Sequence, residues 1–140
     1  VDTVEKIASG NYTPIEQKYI DESTLKPAPK IFKEDCRIDW SWSGERIVNF
    51  VRGLSPYPAA WAAMQKQGEE VGSAKIFEVS FTAKESSDVV GTIYCDGKER
   101  IEVRCSDGII HIHSMQMAGK RRMTNRELLL GFRDIEEYNF

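Results

Sequence analysis

Polar and apolar positions follow two different periods along this chain. In "SGERIVNFVRGL", Ile47, Phe50, Val51 and Leu54 fall at i, i+3, i+4 and i+7, the single apolar stripe of a helix about three turns long. Ser43 is placed to cap it, Glu45 suits the positive end of its dipole, and Gly53 with Pro56 closes it. "PAAWAAMQKQ" supports two readings: alanine favours helix, while the flanking prolines and short length allow a strand. Beyond it the period becomes two. "KIFEVSF" sets Phe77, Val79 and Phe81 on one face against Glu78 and Ser80, "GTIY" is a short strand, and "RIEVRC" sets Ile101, Val103 and Cys105 inward against Arg100, Glu102 and Arg104. Asp96-Gly97 and Asp107-Gly108 mark hairpin turns, and "IIHIHSMQM" follows the second. Thr124 and Glu127 have capping-box spacing ahead of the apolar "LLLGF". Several short antiparallel strands with two short helices predict a mainly β fold with short α-helices, a small antiparallel barrel or half-barrel. Closure would protect its edge strands.

The first thirty residues read differently. "TVEKIASG" spaces Val4, Ile7 and Ala8 at helical intervals and stops at Gly10. Twenty residues with Pro14, Pro27 and Pro29 and no sustained period then predict a linker. The expected division is residues 1–30, a helix end and basic linker, and residues 31–140, the barrel, in a piece of a longer protein.

Composition narrows the class. Nineteen Lys and Arg against twenty-two Asp and Glu give a net charge of −3, so any polyanion must be met by a local patch. No run approaches the roughly 18 apolar residues of a membrane span, and no signal peptide is visible. Cys36, Cys95 and Cys105 are odd in number, widely spaced and lack a C-x-x-C pair, which predicts a reducing, cytoplasmic setting with the thiols as small hydrophobes.

Candidate chemistry is sparse. His111 and His113 share one face of a strand, but nothing nearby completes a metal site, so no metal is expected. No activated nucleophile, P-loop, dinucleotide fingerprint or H-E-x-x-H occurs. The basic stretches say more. "GKRRMTNRELLLGFR" holds Lys120, Arg121, Arg122, Arg126 and Arg133 against Glu127, a net +4, before "DIEEYNF" swings to −3. Lys26, Lys30 and Lys33 form a second run. Such runs are solvated faces or phosphate-binding patches. As exposed turn charges, Lys120, Arg121 and Arg122 are expected to be replaceable with little effect on folding. Trp40, Trp42, Tyr57 and Trp61 are core residues or base-stacking platforms.

"APKIFKEDCRIDW", "LSPYPAAW", "SDGIIHIHSMQMAGKRRMT" and "ELLLGF" resemble, in order and spacing, the C-terminal part of the methionyl-tRNA formyltransferase family, and "TVEKIASGNYTPIEQ" resembles the last helix of its catalytic domain. The most specific pieces are Arg37-Ile38-Asp39-Trp40, Pro56-x-Pro58-x-x-Trp61 and Asp107-Gly108 to Gly119-Lys120. The resemblance makes "PAAWAAM" a strand and implies an oligonucleotide-binding-like barrel. "QKQGEEVGSA" is longer than the family's tight turn there, which leaves the conformation of residues 65–74 open.

The resemblance implies an enzyme that formylates methionyl-initiator tRNA from 10-formyltetrahydrofolate in translation initiation. The Asn, His and Asp that promote transfer belong to a catalytic domain outside these residues, so no catalytic residue and no bound cofactor is expected in them. The implied partners are the initiator tRNA and that catalytic domain, with no membrane. By position, Lys30, Lys33, Lys120, Arg121 and Arg122 match the family's tRNA-contacting linker and basic turn. The alternatives are the barrel of a sugar-amine formyltransferase, for which the basic turn would be a mere loop, and a free-standing nucleic-acid-binding barrel.

Overall fold

Strand alternation, interrupted by register shifts between Met64 and Gln65 and around Glu78, shapes the molecule in a computed structural model that describes residues 2–16, 18, 21–132 and 134–140. The chain divides into two units, Val1–Lys30 and Ile31–Phe140. In the first, α1 (Asp2–Ala8) buries none of its residues. A single 3-10 turn, Glu22–Thr24, interrupts the following segment.

The second unit holds α2 (Gly44–Leu54), β1 (Ala60–Lys66), β2 (Glu69–Ala83), β3 (Ile93–Cys95), β4 (Ile101–Arg104), β5 (Gly108–Met117), β6 (Met123–Thr124) and α3 (Asn125–Gly131). The strands form one antiparallel sheet in the order β1-β2-β5-β4-β3, with β6 paired to β5, curled into a half-barrel. Ser43 caps α2 by accepting from the Arg46 N–H. The Asp107 carboxylate accepts the Gly44 N–H at 2.8 Å, a negative charge where the helix dipole is positive. Ile47 and Val51 of α2 then enter the main core with Met64, Ile76, Ile110 and Met115. Each such side chain contributes about 1.5–3 kcal/mol through burial.

β1 shows why its sequence was ambiguous. Ala60, Ala62 and Met64 face the main core, while Trp61 and Ala63 join a second cluster with Cys36 and Leu54. A strand covered on both faces loses its polar alternation. Residues 65–74 form no irregular loop: β1 and β2 continue through them to a two-residue turn at Gln67 (φ 53°) and Gly68 (φ 85°), both in the left-handed region that primed hairpin turns require.

Two expectations are corrected. Phe77 does not face inward with Val79 and Phe81. The β2–β5 register shifts on both sides of Glu78, so Ala74 and Ile76 point inward before the bulge and Val79 and Phe81 pack on the core after it, leaving Phe77 outside the cluster. Arg104 is not on the polar face: it is 5% exposed. Its guanidinium donates to the carbonyls of Lys84 (3.2 Å), Ser86 (2.9 Å) and Gly108 (2.9 Å), tying the β2–β3 connection to the sheet.

The sheet ends are drawn together by the last residues. Asn139 bridges Gln65 of β1 and Thr92 beside β3. The Phe140 N–H donates to the Gly91 carbonyl at 3.0 Å, and the Phe140 ring stacks on Trp40 at 5.5 Å. Gly91 permits this approach, since a Cβ there would lie 2.1 Å from the Phe140 carbonyl oxygen.

Candidate nucleic-acid interface

The outward face of β2 organises the bases. Before the bulge, Ala74 and Ile76 point inward, so Ser73, Lys75 and Phe77 point out. The register places Trp61 of β1, Lys75 of β2 and Gln116 of β5 in one transverse row, which spans about 10 Å at the usual strand spacing.

Basic groups attach at both ends of this row. Beside Trp61, the Lys33 ammonium lies 4.9 Å and the Arg37 guanidinium 5.4 Å from the ring centre. The Trp61 indole N–H donates to the Lys33 carbonyl at 2.8 Å, fixing that backbone. At the other end, the Gln116 side-chain amide donates to the Lys120 carbonyl at 2.7 Å, and the Lys120 N–H donates to the Met117 carbonyl at 3.0 Å. The turn is also tied to β2, where the Ala118 N–H donates to the Ser73 carbonyl at 3.0 Å. Three separate segments, carrying Lys33 and Arg37, Lys75, and the Lys120 backbone, are thereby brought to one row. Lys30 is exposed at the end of the first unit.

The basic turn is more built than a solvated loop. Arg121 pairs with Glu127 at 2.6 Å. Glu127 also accepts from the Thr124 N–H (2.9 Å) and hydroxyl (3.1 Å), completing the capping box of α3. The Arg121 guanidinium, then the Thr124 donors, hold the Glu127 carboxyl down at about 2. Arg122 donates to the buried Ser114 hydroxyl at 2.8 Å and lies 4.4 Å over the Phe77 ring. Among the described residues, Lys120 alone of the three has neither a side-chain hydrogen bond nor an ion pair. The three bases therefore differ in what they hold: Arg121 an exposed ion pair, Arg122 a buried hydroxyl and an aromatic ring, and Lys120, among the described residues, no side-chain partner. Arg133 lies outside the described residues.

The histidines are held by hydroxyls. His111 contacts Thr82 Oγ1 (2.9 Å) and Glu102 (3.2 Å), and His113 contacts Ser80 Oγ (2.8 Å). They line a cavity of about 590 Å³ with Arg100 and Arg126. No group of three His, Cys, Asp or Glu among the described residues could hold a metal ion. Burial pushes the thiols of Cys36, Cys95 and Cys105 up, against nucleophilic use.

Sequence reasoning missed Arg37 and Lys75. Arg37 sat in a recognised motif with no assigned contact, and the role of Lys75 depends on cross-strand register. Of the four tryptophan and tyrosine candidates, Trp40 and Trp61 are buried, Trp42 packs edge-on against Phe50 at 5.1 Å, and Tyr57 is 86% exposed.

Comparison with known proteins agrees with this fold. Residues 30–133 match the family described as formyl transferase, C-terminal domain. A methionyl-tRNA formyltransferase of Parabacteroides distasonis is 41% identical over 139 residues, 98% of this chain and 43% of the relative. Those of Bacteroides thetaiotaomicron (42% over 139 residues, 99% and 43%) and Flavobacterium johnsoniae (39% over 137 residues, 98% and 42%) are similar to it. The chain thus spans less than half the length of these curated relatives. Crystal structures of HypX from Aquifex aeolicus share the fold: a multiple-substitution variant has a TM-score of 0.64 at 20% identity, covering 94% of this chain and 22% of that one. A complex of HypX with tetrahydrofolic acid has a TM-score of 0.58 at 20% identity, covering 91% and 21%. With its sequence match and its fold in agreement, this chain belongs to the formyl transferase C-terminal domain family.

Proposed function

We propose that residues 31–140 are the tRNA-gripping barrel of a methionyl-tRNA formyltransferase. Residues 1–30 are then the end of its catalytic domain and a basic linker. The meeting of the segments that carry Lys33 and Arg37, Lys75, and Lys120 at one row of the sheet carries this reading, together with the relatives' shared name. Each base that neutralises a phosphate releases condensed counterions, which gives affinity without reading sequence. A barrel holding the backbone in this way positions the methionyl-initiator tRNA, while formyl transfer from 10-formyltetrahydrofolate takes place on the catalytic domain. The setting is the cytoplasm, where translation begins. Lys30, Lys33, Lys120, Arg121 and Arg122 are the proposed phosphate contacts, with Arg121 and Arg122 also shaping the turn.

The test is tRNA binding by the full chain across a salt series. K120A is expected to weaken binding and to flatten the slope of log affinity against log salt by about 0.7–0.9, leaving thermal unfolding unchanged. An unchanged slope would leave Lys120 a solvated surface charge, and a full chain that binds no tRNA at all would return the barrel to the sugar-amine reading.

A further inference from the structure

We infer that the cleft between Tyr57 and Phe32 is a stacking site for one unpaired nucleotide of RNA, a property of the same basic face and resting on its reading as an RNA interface. The cleft is a cavity of about 380 Å³ walled by Trp61 and Pro58, with Lys33 and Lys75 at its sides and no acidic residue in its lining. Tyr57 is 86% exposed, a large aromatic area to leave in water. Trp61, by contrast, is fixed by its indole N–H bond to the Lys33 carbonyl, so the wall is rigid. Lys75 donates to the Pro58 carbonyl at 3.4 Å, which holds its ammonium at the cleft while leaving other N–H donors for a ligand. The neighbouring carboxylate, Asp35, is turned to the Phe32 N–H at 2.7 Å.

An exposed aromatic beside lysines suits a base that stacks while its phosphate meets an ammonium. A duplex offers the cleft no unstacked base within its helix, because its bases are already paired and stacked and present only edges, 2′-hydroxyls and phosphates. The charge of the lining favours RNA over an apolar protein segment. The site would thus let the barrel distinguish an unpaired nucleotide from a helical stem, which phosphate contacts alone cannot do.

The experiment compares binding of the full chain to an unstructured oligoribonucleotide of about eight nucleotides and to an RNA duplex of similar charge. Y57A is expected to weaken binding of the single strand about tenfold and to leave the duplex unaffected. Y57F should bind as the parent does, because stacking needs the ring and not the hydroxyl. Thermal unfolding confirms that each variant folds. Equal single-strand affinity in Y57A and the parent would overturn the inference. So would equal losses on both probes, or a self-association abolished by Y57A, which would assign the cleft to a second copy. A Tyr57-dependent single-strand affinity beside an unchanged K120A salt slope would sustain the cleft and sink only the basic turn. The reverse pattern would sink the cleft alone.

Discussion

Arg122 and Lys120, two residues apart, show how differently neighbouring charges can be used. Arg122 satisfies the buried Ser114 hydroxyl and covers Phe77, whereas Lys120 projects from a turn held by backbone and Gln116 contacts. R122A should therefore destabilise the fold by about 1–2 kcal/mol, the effect of leaving one buried hydroxyl unpaired and losing a cation–π contact. K120A should fall within about 0.5 kcal/mol of the parent. Chemical denaturation of the two variants checks this, and equal stabilities would contradict the assigned roles. For RNA binding, only Lys120 then gives an uncomplicated reading of charge.

α3 is seven residues long and depends on its ends. A nucleus this short gains little from propagation, so the capping box of Thr124 and Glu127 and the seating of Leu128 and Leu129 in the core hold it. The box is pH-sensitive. Glu127 sits at about 2 in the folded chain against an ordinary value of 4.5. Its contribution is therefore full above about pH 4.5 and is lost as pH falls toward 2. E127Q should melt below the parent at neutral pH, with the gap narrowing over that acid window. Melting curves from pH 7 to pH 2 test it, and a gap that stays constant would mean that the carboxylate charge plays no part. Asp96 behaves similarly in the β3–β4 loop. It accepts the N–H groups of Arg100, Lys98 and Glu99 and is likewise held at about 2.

At the scale of the whole molecule, the two units differ in what holds them. α1 has no buried residue, and Ile15 and Leu25 are 91% and 54% exposed. Residues 31–140 instead pack a main core and a smaller second cluster about a sheet whose ends Asn139 bridges. Limited proteolysis should cut first within residues 1–30 and leave a fragment of 31–140 that unfolds cooperatively. Early cuts within the barrel strands would refute that boundary.

Local chemistry carried much of this fold in the sequence. The stripe Ile47–Leu54, the Ser43 cap, the Thr124–Glu127 box and the inward Ile101 and Val103 of β4 depend on neighbours within a few residues, and each is visible as a spacing. What the sequence could not decide lies where a distant segment intervenes. Burial on both faces hid β1, one bulge reversed Phe77, and the carbonyls of Lys84 and Ser86 drew Arg104 inward. The candidate site divides in the same way. Composition and motif resemblance picked out Lys33 and the Lys120–Arg122 turn, because a basic run is legible in one dimension. Only cross-strand register could join them through Trp61, Lys75 and Gln116, since pairing fixes which residues share a row, and register is a property of the folded sheet.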